Sequence, residues 1–570
     1  MTRKFLPLLL ALVLVFSCVG FSAGAEDADG KTYTLMASVN ASSGNWDDLW
    51  FFQSIEEELG IRFEIEQVSE ASFEEKKNLA LATNMYPDLF IGGISSAEIA
   101  TYGEMGVFLP LEDYINWENT PAIMAWSEMY PDYLNSLKYP DGHIYDIHGM
   151  QLSSRELTDC RYWINHEWAN EILGHLPTTL DEYYAYLKGV KEGDMNGNGD
   201  ATDEIPMGGR FRGVMGSSEN YHDCTIPILA AFGYTERGLE FMDGTAQFNP
   251  IQDNYKEYLK FMNKLFTEEL IDPEYFTQAQ DQFTAKLASG VTGAFVDFAH
   301  WLNISDENIW RQYGSNAPLT SQYNDQQIWP GHEFSVQGQQ WIITDKCDDP
   351  QDLMRLLDYL FTLNPDEYEI VNAETSEHET FFGEYAQYVL RDDSGDFSQR
   401  FGAQLGTWEE HPEWGWEMTE YETNGETRQL VNIVYPTEEY TNRNDFVRKV
   451  MTPWAFPYMS ANQAIVSVNA FDTGNAEGEL TANVFEYLVP YYHEGNPGNF
   501  KFTAAESDEL SLLESDLASY VDQMVSKFII GDVSIDNEWD NFVKGCESRG
   551  IARYVEIYQT AYDRSYGAAE

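Results

Sequence analysis

Between residues 33 and 92 the hydrophobic pattern switches repeatedly between a period of two and a period of about 3.6, and this alternation limits the fold more than any other feature. Tyr33-Thr34-Leu35-Met36-Ala37 reads as a strand, residues 47–59 as a helix closed by Gly60, and residues 62–68 as a second, alternating strand. A helix over 72–83 then leads to the apolar strand Asp88-Leu89-Phe90-Ile91-Gly92. Parallel neighbours need a crossover, and a helix supplies it, so this order predicts an α/β unit with a mostly parallel sheet. Further helices are predicted over 167–173, 179–192, 252–268 and 350–363, and a last one near 538–563.

At 570 residues the chain exceeds what one hydrophobic core supports, about 250–300 residues. No low-complexity linker divides it, so two large lobes joined by several crossovers are expected rather than separate beads. Arg3 and Lys4 precede an apolar run from Phe5 to Phe16, shorter than the roughly 20 residues of a membrane-spanning helix but suited to an export signal. Two cleavage points fit. One lies before Cys18, which would then carry a lipid; the other follows Ala23-Gly24-Ala25, making residues 1–25 the signal peptide. The end of the apolar run directly before Cys18 favours lipidation, and with it a place on the outer face of the cytoplasmic membrane.

The net charge of −62 makes nucleic acid and anionic lipid surfaces poor partners. Cys160, Cys224, Cys347 and Cys546 are too few and too scattered for a disulfide scaffold and lack metal-site spacing, leaving one or two bridges or free buried thiols.

Residues 194–204 carry the densest chemistry. Asp194, Asn196 and Asn198 alternate so that three side-chain oxygens can converge on a hard cation, and Gly199 stands at the sixth position, where a calcium loop bends sharply. The Asp200 carbonyl would follow at the seventh. The twelfth position is Ile205 instead of a bidentate glutamate, with Asp203 and Glu204 just before it, and Ile205-Pro206-Met207-Gly208-Gly209 breaks the chain where a second helix would begin. These departures point to a structural Ca²⁺ site instead of a sensor; the same residues also suit a metal-free Asx turn.

Several stretches carry a family resemblance in order: Tyr86-Pro87-Asp88-Leu89-Phe90, Gly106-Val107-Phe108-Leu109-Pro110-Leu111, Asp141-Gly142-His143-Ile144-Tyr145, Trp163-Ile164-Asn165-His166-Glu167-Trp168, and Leu176-Pro177-Thr178-Thr179-Leu180-Asp181-Glu182-Tyr183 leading into the loop. Trp539-Asp540-Asn541-Phe542 and Tyr554-Val555-Glu556-Ile557-Tyr558 match the closing helix. The chain resembles the family 1 extracellular solute-binding proteins, the sugar receptors of ABC importers, and within them the large calcium-loop branch of lipoprotein LplA and the alginate-oligosaccharide-binding proteins. The resemblance implies a class II, periplasmic-binding-protein-like fold of two α/β lobes with hinge crossovers. The crossovers are expected near 141–147, 293–297 and 341–347, with residues 31–150 plus 295–345 in one lobe and 151–294 plus 346–570 in the other. It also implies calcium ligands Asp194, Asn196, Asn198, Asp200, Asp203 and Glu204, binding without turnover, delivery to permease subunits, and action as a monomer.

Sugar rings present apolar C–H faces and a polar rim, so aromatic faces and charged side chains are the expected contacts. Trp46 and Trp50 lie at the carboxyl end of the first strand, where open α/β sheets bind ligands. Trp301 follows the apolar strand at 293–297, Trp329 and Trp416 lie in Gly- and Pro-flanked segments, and Arg155 follows the first crossover. Any single tryptophan is as well explained by core packing. His143 and His148, five apart, do not converge on a metal. The rival reading is a glycan-active hydrolase, which needs only two carboxylates among the 95 acidic residues, although no Gly-x-Ser-x-Gly, His-Glu-x-x-His or phosphate loop is present. A sensing or adhesive glycan-binding protein would share the same cleft.

Overall fold

The computed structural model describes residues 31–39, 43–151, 158, 160–215, 222–332 and 335–361, short strands between 368 and 433, and most of 480–567. In chain order the strands that organise it are β1 (Lys31–Val39), β2 (Ile61–Ser69), β3 (Leu89–Ile91), β4 (Ile147–Gln151), β5 (Arg161–Asn165) and β6 (Ile205–Met207). The hairpin β7 (Leu239–Met242) and β8 (Thr245–Phe248), then β9 (Thr292–Asp297), β10 (Tyr313–Ser315), β11 (Trp329–Pro330) and β12 (Ser335–Ile343) follow.

The first sheet has the order β2-β1-β3-β12-β4. β1 pairs in parallel with β2 and β3, as the βαβαβ alternation requires, and β12 runs antiparallel to β3 and β4. Period two explains its two cores. Leu35, Ala37, Leu89, Ile91, Trp341 and Ile343 face one side, covered by the helices Trp50–Leu59 and Pro350–Phe361. Met36, Phe90 and Ile342 face the other, under the helices Glu70–Thr83 and Ser96–Glu104. A sheet buried on both faces needs apolar residues at successive positions, which is why Leu89-Phe90-Ile91 is continuous.

The second sheet, β10-β5-β9-β6, has its middle strands wholly buried. Its core draws on Tyr183, Tyr186, Leu187 and Val190 of the helix Leu180–Glu192, on Tyr255, Tyr258, Leu259 and Met262 of Asp253–Thr267, and on Leu510, Leu517, Val521, Val525 and Phe528 of the 27-residue helix Ala504–Ile530. The single closing helix expected near 538–563 is two, Ile535–Ser548 and Ile551–Tyr566, because Gly550 between them takes φ +86°.

The chain passes between the sheets from β4 to β5, from β11 to β12, and between Phe361 and Leu480. The first passage lies just beyond the expected Asp-Gly-His-Ile-Tyr stretch. Residues 293–297 and 341–347 are not crossings: the former lie in the centre of the second sheet, and the latter continue from the first sheet through Trp341 to Cys347 in its core. Residues 295–332 therefore group with the second lobe, and Pro350–Phe361 with the first, correcting the expected boundaries. Central strands and hinge strands are both short, apolar and extended, so composition does not separate them.

Among the described residues no helix is long and apolar enough to cross a membrane, and the four described cysteines are buried and unbridged. Cys18 and residues 1–25 lie outside the described residues.

Candidate functional site

The carboxyl ends of β6 and β9 and the amino end of antiparallel β5 share one edge of the second sheet, since Arg161 is in register with Asp297. Asp297 is fully engaged there. Its Oδ1 accepts the Phe298 amide at 2.7 Å, its Oδ2 accepts Asn303 Nδ2 at 2.6 Å, and His222 Nε2 lies 3.5 Å from Oδ1. The Trp163 indole donates to the Asp297 carbonyl at 3.1 Å. His222 reaches this position from a turn held at φ +68°, with its amide on the Val296 carbonyl.

Phe298, the next residue, is 37% exposed. One face of its ring lies over the buried Arg161 guanidinium, 4.0 Å from carbon to ring centroid, and Arg161 Nη1 donates to the Phe298 carbonyl at 2.9 Å. The ring is thereby fixed in orientation. Leu302 beside it is 70% exposed, and Trp301 is partly buried against the same lobe. His300 is enclosed, with its ring 4.0 Å from that of Trp163 and its Nε2 donating to the Trp310 carbonyl. Burial holds its imidazole down to about 4, against the opposing pull of Asp297, so it is neutral at pH 7.

On the first sheet the corresponding edge is shaped by backbone. Gln67 on β2 accepts the Trp46 amide at 2.8 Å and donates to the Gly44 carbonyl at 2.9 Å, pinning the loop after β1. Beyond β3 the chain turns through Gly92 and Gly93 at φ +68° and +74°, and a Cβ on Gly93 would meet the Phe73 ring at 2.5 Å.

Two expected ligand residues are instead core residues. Trp46 is buried and stacked on Phe52, with ring centroids 5.8 Å apart, and Trp329 is buried, lies parallel to Tyr162 and donates its indole N–H to the Cys160 carbonyl at 3.2 Å. Each is buried with its ring packed against another aromatic, so neither offers an open ring face. Trp301 does lie at the edge of the second sheet. The Trp50 and Trp416 side chains and all of Arg155 fall outside the described residues, although the Trp416 backbone pairs with Ile433 in a hairpin. Phe298 was missed, and the signal was available: an aromatic directly after the mostly apolar strand Thr292–Asp297, whose last residue is in register with Arg161 at the start of β5.

The acidic loop leaves the helix Leu180–Glu192, whose start is fixed by a capping box of Thr179 and Glu182. Gly197 and Gly199 take φ +70° and +91° with open space around them, so conformation rather than crowding requires glycine. Asp194 Oδ2 accepts the Gly199 amide at 2.9 Å, Asn196 Oδ1 accepts that of Asn198 at 2.9 Å, and Asn198 Oδ1 accepts that of Asp200 at 2.7 Å. Asn196 and Asn198 both turn their amides to Asp203, at 3.5 and 2.7 Å. The Asp200 carboxylate turns to Thr202, whose hydroxyl and amide hold it below the usual range. Glu204 binds the Met195 and Asn196 amides through Oε1, while its buried Oε2 has no hydrogen-bond partner. Among the described residues no three His, Cys, Asp or Glu side chains gather closely enough to hold a metal alone. A buried carboxylate oxygen left over in an oxygen-rich turn fits a hard cation.

The sequence pattern of the bacterial extracellular solute-binding proteins matches residues 50–370. Over 548 residues the chain is 24% identical to the fructooligosaccharide ABC transporter substrate-binding protein FusA of Streptococcus pneumoniae serotype 4, spanning 94% of this chain and 90% of FusA. Its fold matches FusA in complex with kestose at a TM-score of 0.60 and 22% identity, and a FusA EF-hand mutant in complex with fructo-nystose at 0.59 and 21%, each over 94% of this chain and 99% of that one. An extracellular solute-binding protein of Bifidobacterium longum subsp. infantis matches at a TM-score of 0.66 and 20% identity, over 94% of this chain and 98% of the other. The chain belongs to the bacterial extracellular solute-binding protein family.

Proposed function

We propose that this chain is the cell-surface receptor of an ABC importer and captures an oligosaccharide between its lobes. The observation that carries this reading is the edge of the second sheet, where Phe298 turns an ordered ring face outward beside Trp301 and Leu302, a surface suited to the C–H face of a sugar ring. Relatives support it, since FusA is named for fructooligosaccharides and for an ABC transporter. Ligand touches both lobes only when they close, so binding shifts the population toward the closed form that permease subunits engage. That requires no covalent chemistry.

Asp194, Asn196, Asn198, Asp203 and Glu204, with the Asp200 carbonyl, would hold Ca²⁺, which supplies the positive charge that lets these acids share one turn. The loop ties the end of Leu180–Glu192 to the start of β6, so the ion's role is structural. The EF-hand of FusA, which has been mutated in a solved structure, supports this assignment. A lipid on Cys18 would anchor the receptor to the membrane.

The test is a titration calorimetry series on the purified exported chain with kestose, maltotriose and trigalacturonate. Saturable binding of at least one saccharide is expected. Failure of all three, with binding of a tripeptide control, would replace the carbohydrate reading with a peptide receptor.

A further inference from the structure

The lobes also touch at a buried charge. Residues 500–502 lead into the helix Ala504–Ile530, and their side chains make alternating contacts. Phe500 and Phe502 pack into the second lobe, Phe500 against Phe241 at 5.2 Å and Phe502 against Tyr558 at 5.2 Å between centroids. Lys501, between them, points the other way. Its ammonium enters the first lobe, 3.8 Å from Asp146 Oδ2, 3.4 Å from the Tyr139 hydroxyl and 4.8 Å from the Tyr139 ring centroid.

Both ends of this contact are fixed. The Lys501 carbonyl accepts Arg564 Nη1 at 2.8 Å, and Arg564 is paired with Glu506, the residue that completes the Thr503 capping box. On the first lobe Asp146 is fully buried and accepts hydrogen bonds from Tyr139 at 3.1 Å and His148 at 3.0 Å, while its other oxygen, Oδ1, has no hydrogen-bond partner. Burial alone would raise this carboxyl, yet Lys501 and His148 hold it below the ordinary range, so the pair is ionic. Withdrawing Lys501 would leave a buried carboxylate without its cation, a far less favourable state than sliding two apolar surfaces apart.

Resting on the clamp reading above, we propose that Lys501 seated against Asp146 and Tyr139 is the pivot of the clamp: the lobes rotate about this contact, and it stays made whether the cleft is open or closed. Neighbouring elements carry the same expectation, because the helices Ala504–Ile530 and Ile551–Tyr566 of the second lobe also touch Ser96–Glu104 and Asp132–Leu137 of the first. Motion is then concentrated at the opposite rim, where Phe298 lies.

Pulsed electron paramagnetic resonance on the ligand-free chain, with Cys18 replaced by Ser, tests this directly, because the other cysteines are buried and escape labelling. One spin-label pair, Glu104→Cys with Leu512→Cys, flanks the pivot; the other, Asp47→Cys with Leu302→Cys, spans the rim. The expected result is a narrow distance distribution for the first and a broad one for the second. In the charge-free double variant Asp146→Asn with Lys501→Met, which removes both partners and so leaves no buried unpaired charge, the first distribution widens. A first pair as broad as the second, or one unchanged in the double variant, overturns the pivot and leaves the receptor reading intact. Two narrow distributions would sink the hinged clamp itself.

Discussion

The two contact regions of the second lobe are built from similar residue types in opposite arrangements. At the rim, the Arg161 guanidinium is buried beneath Phe298 and the aromatic ring is left facing solvent. At the lobe junction, the Tyr139 ring is buried and the Lys501 cation reaches past it to a buried carboxylate in the other lobe. In one place the cation orients a partly exposed aromatic ring; in the other the aromatic and acid hold a cation from across the interface. A surface meant to bind and release keeps an open apolar face, whereas a contact meant to persist satisfies charge in a closed pocket.

The strongest way to break this contrast is to remove one partner of the closed pocket. Lys501→Met leaves Asp146 buried without its cation and is expected to cost about 3–5 kcal/mol of unfolding free energy, read by denaturant titration, with most of it restored by adding Asp146→Asn. The pH dependence follows from sign. Asp146 sits below its unfolded value, so its stabilisation is present above the ordinary carboxylate pKa and is lost as pH falls below it toward the folded value. Lys501→Met removes the first cause that holds this carboxyl down against burial, so the acid-side loss is expected to shrink or reverse sign.

At the rim the next effect is on His300, held down to about 4 by burial. The unfolded chain takes up a proton below about pH 6.5 while the folded chain does not until about 4, so stability drops by about 3 kcal/mol across that window. His300→Gln should flatten this part of the curve, as melting temperatures at stepped pH will show. Calcium provides a control away from both regions: EDTA is expected to remove about 2–3 kcal/mol if the ion is present at 100 times its Kd, and Glu204→Gln should blunt the response. The smallest expected change sharpens the comparison most. Phe298→Ala should weaken saccharide binding about tenfold, roughly 1.4 kcal/mol, with little change in melting temperature. Trp329→Phe should do the reverse, lowering stability and leaving affinity within about twofold. Calorimetry beside thermal melts separates the two.

How much of this was legible depended on distance along the chain. Residues 33–92 declared themselves because each strand and helix there is a local pattern, and the parallel pairing followed from order alone. The loop at 194–204 was legible for the same reason: its oxygens, its glycines and its turn lie within eleven residues. Lobe membership was not, since whether 292–297 pairs with β5 and β6 or with the first sheet is decided by partners far away along the chain. The helix Ala504–Ile530 carried a readable start in Thr503 and Glu506, but its buried positions are diluted by Ser, Asp and Glu. Trp46 and Trp329 show the limit for side chains, because a tryptophan at a strand end reads alike whether its face meets Phe52, Tyr162 or a ligand. Lys501 gave no signal at all; only packing distinguishes it from the other lysines of the chain.

Small-angle X-ray scattering of the exported chain, with and without a saturating saccharide that binds, followed by recovery and analysis of that saccharide, tests the central claim most directly. A hinged receptor predicts a smaller radius of gyration with sugar and a sugar returned chemically intact. A radius that does not change, or a sugar returned cleaved, would contradict capture by closure and favour a glycan-active enzyme on the same fold.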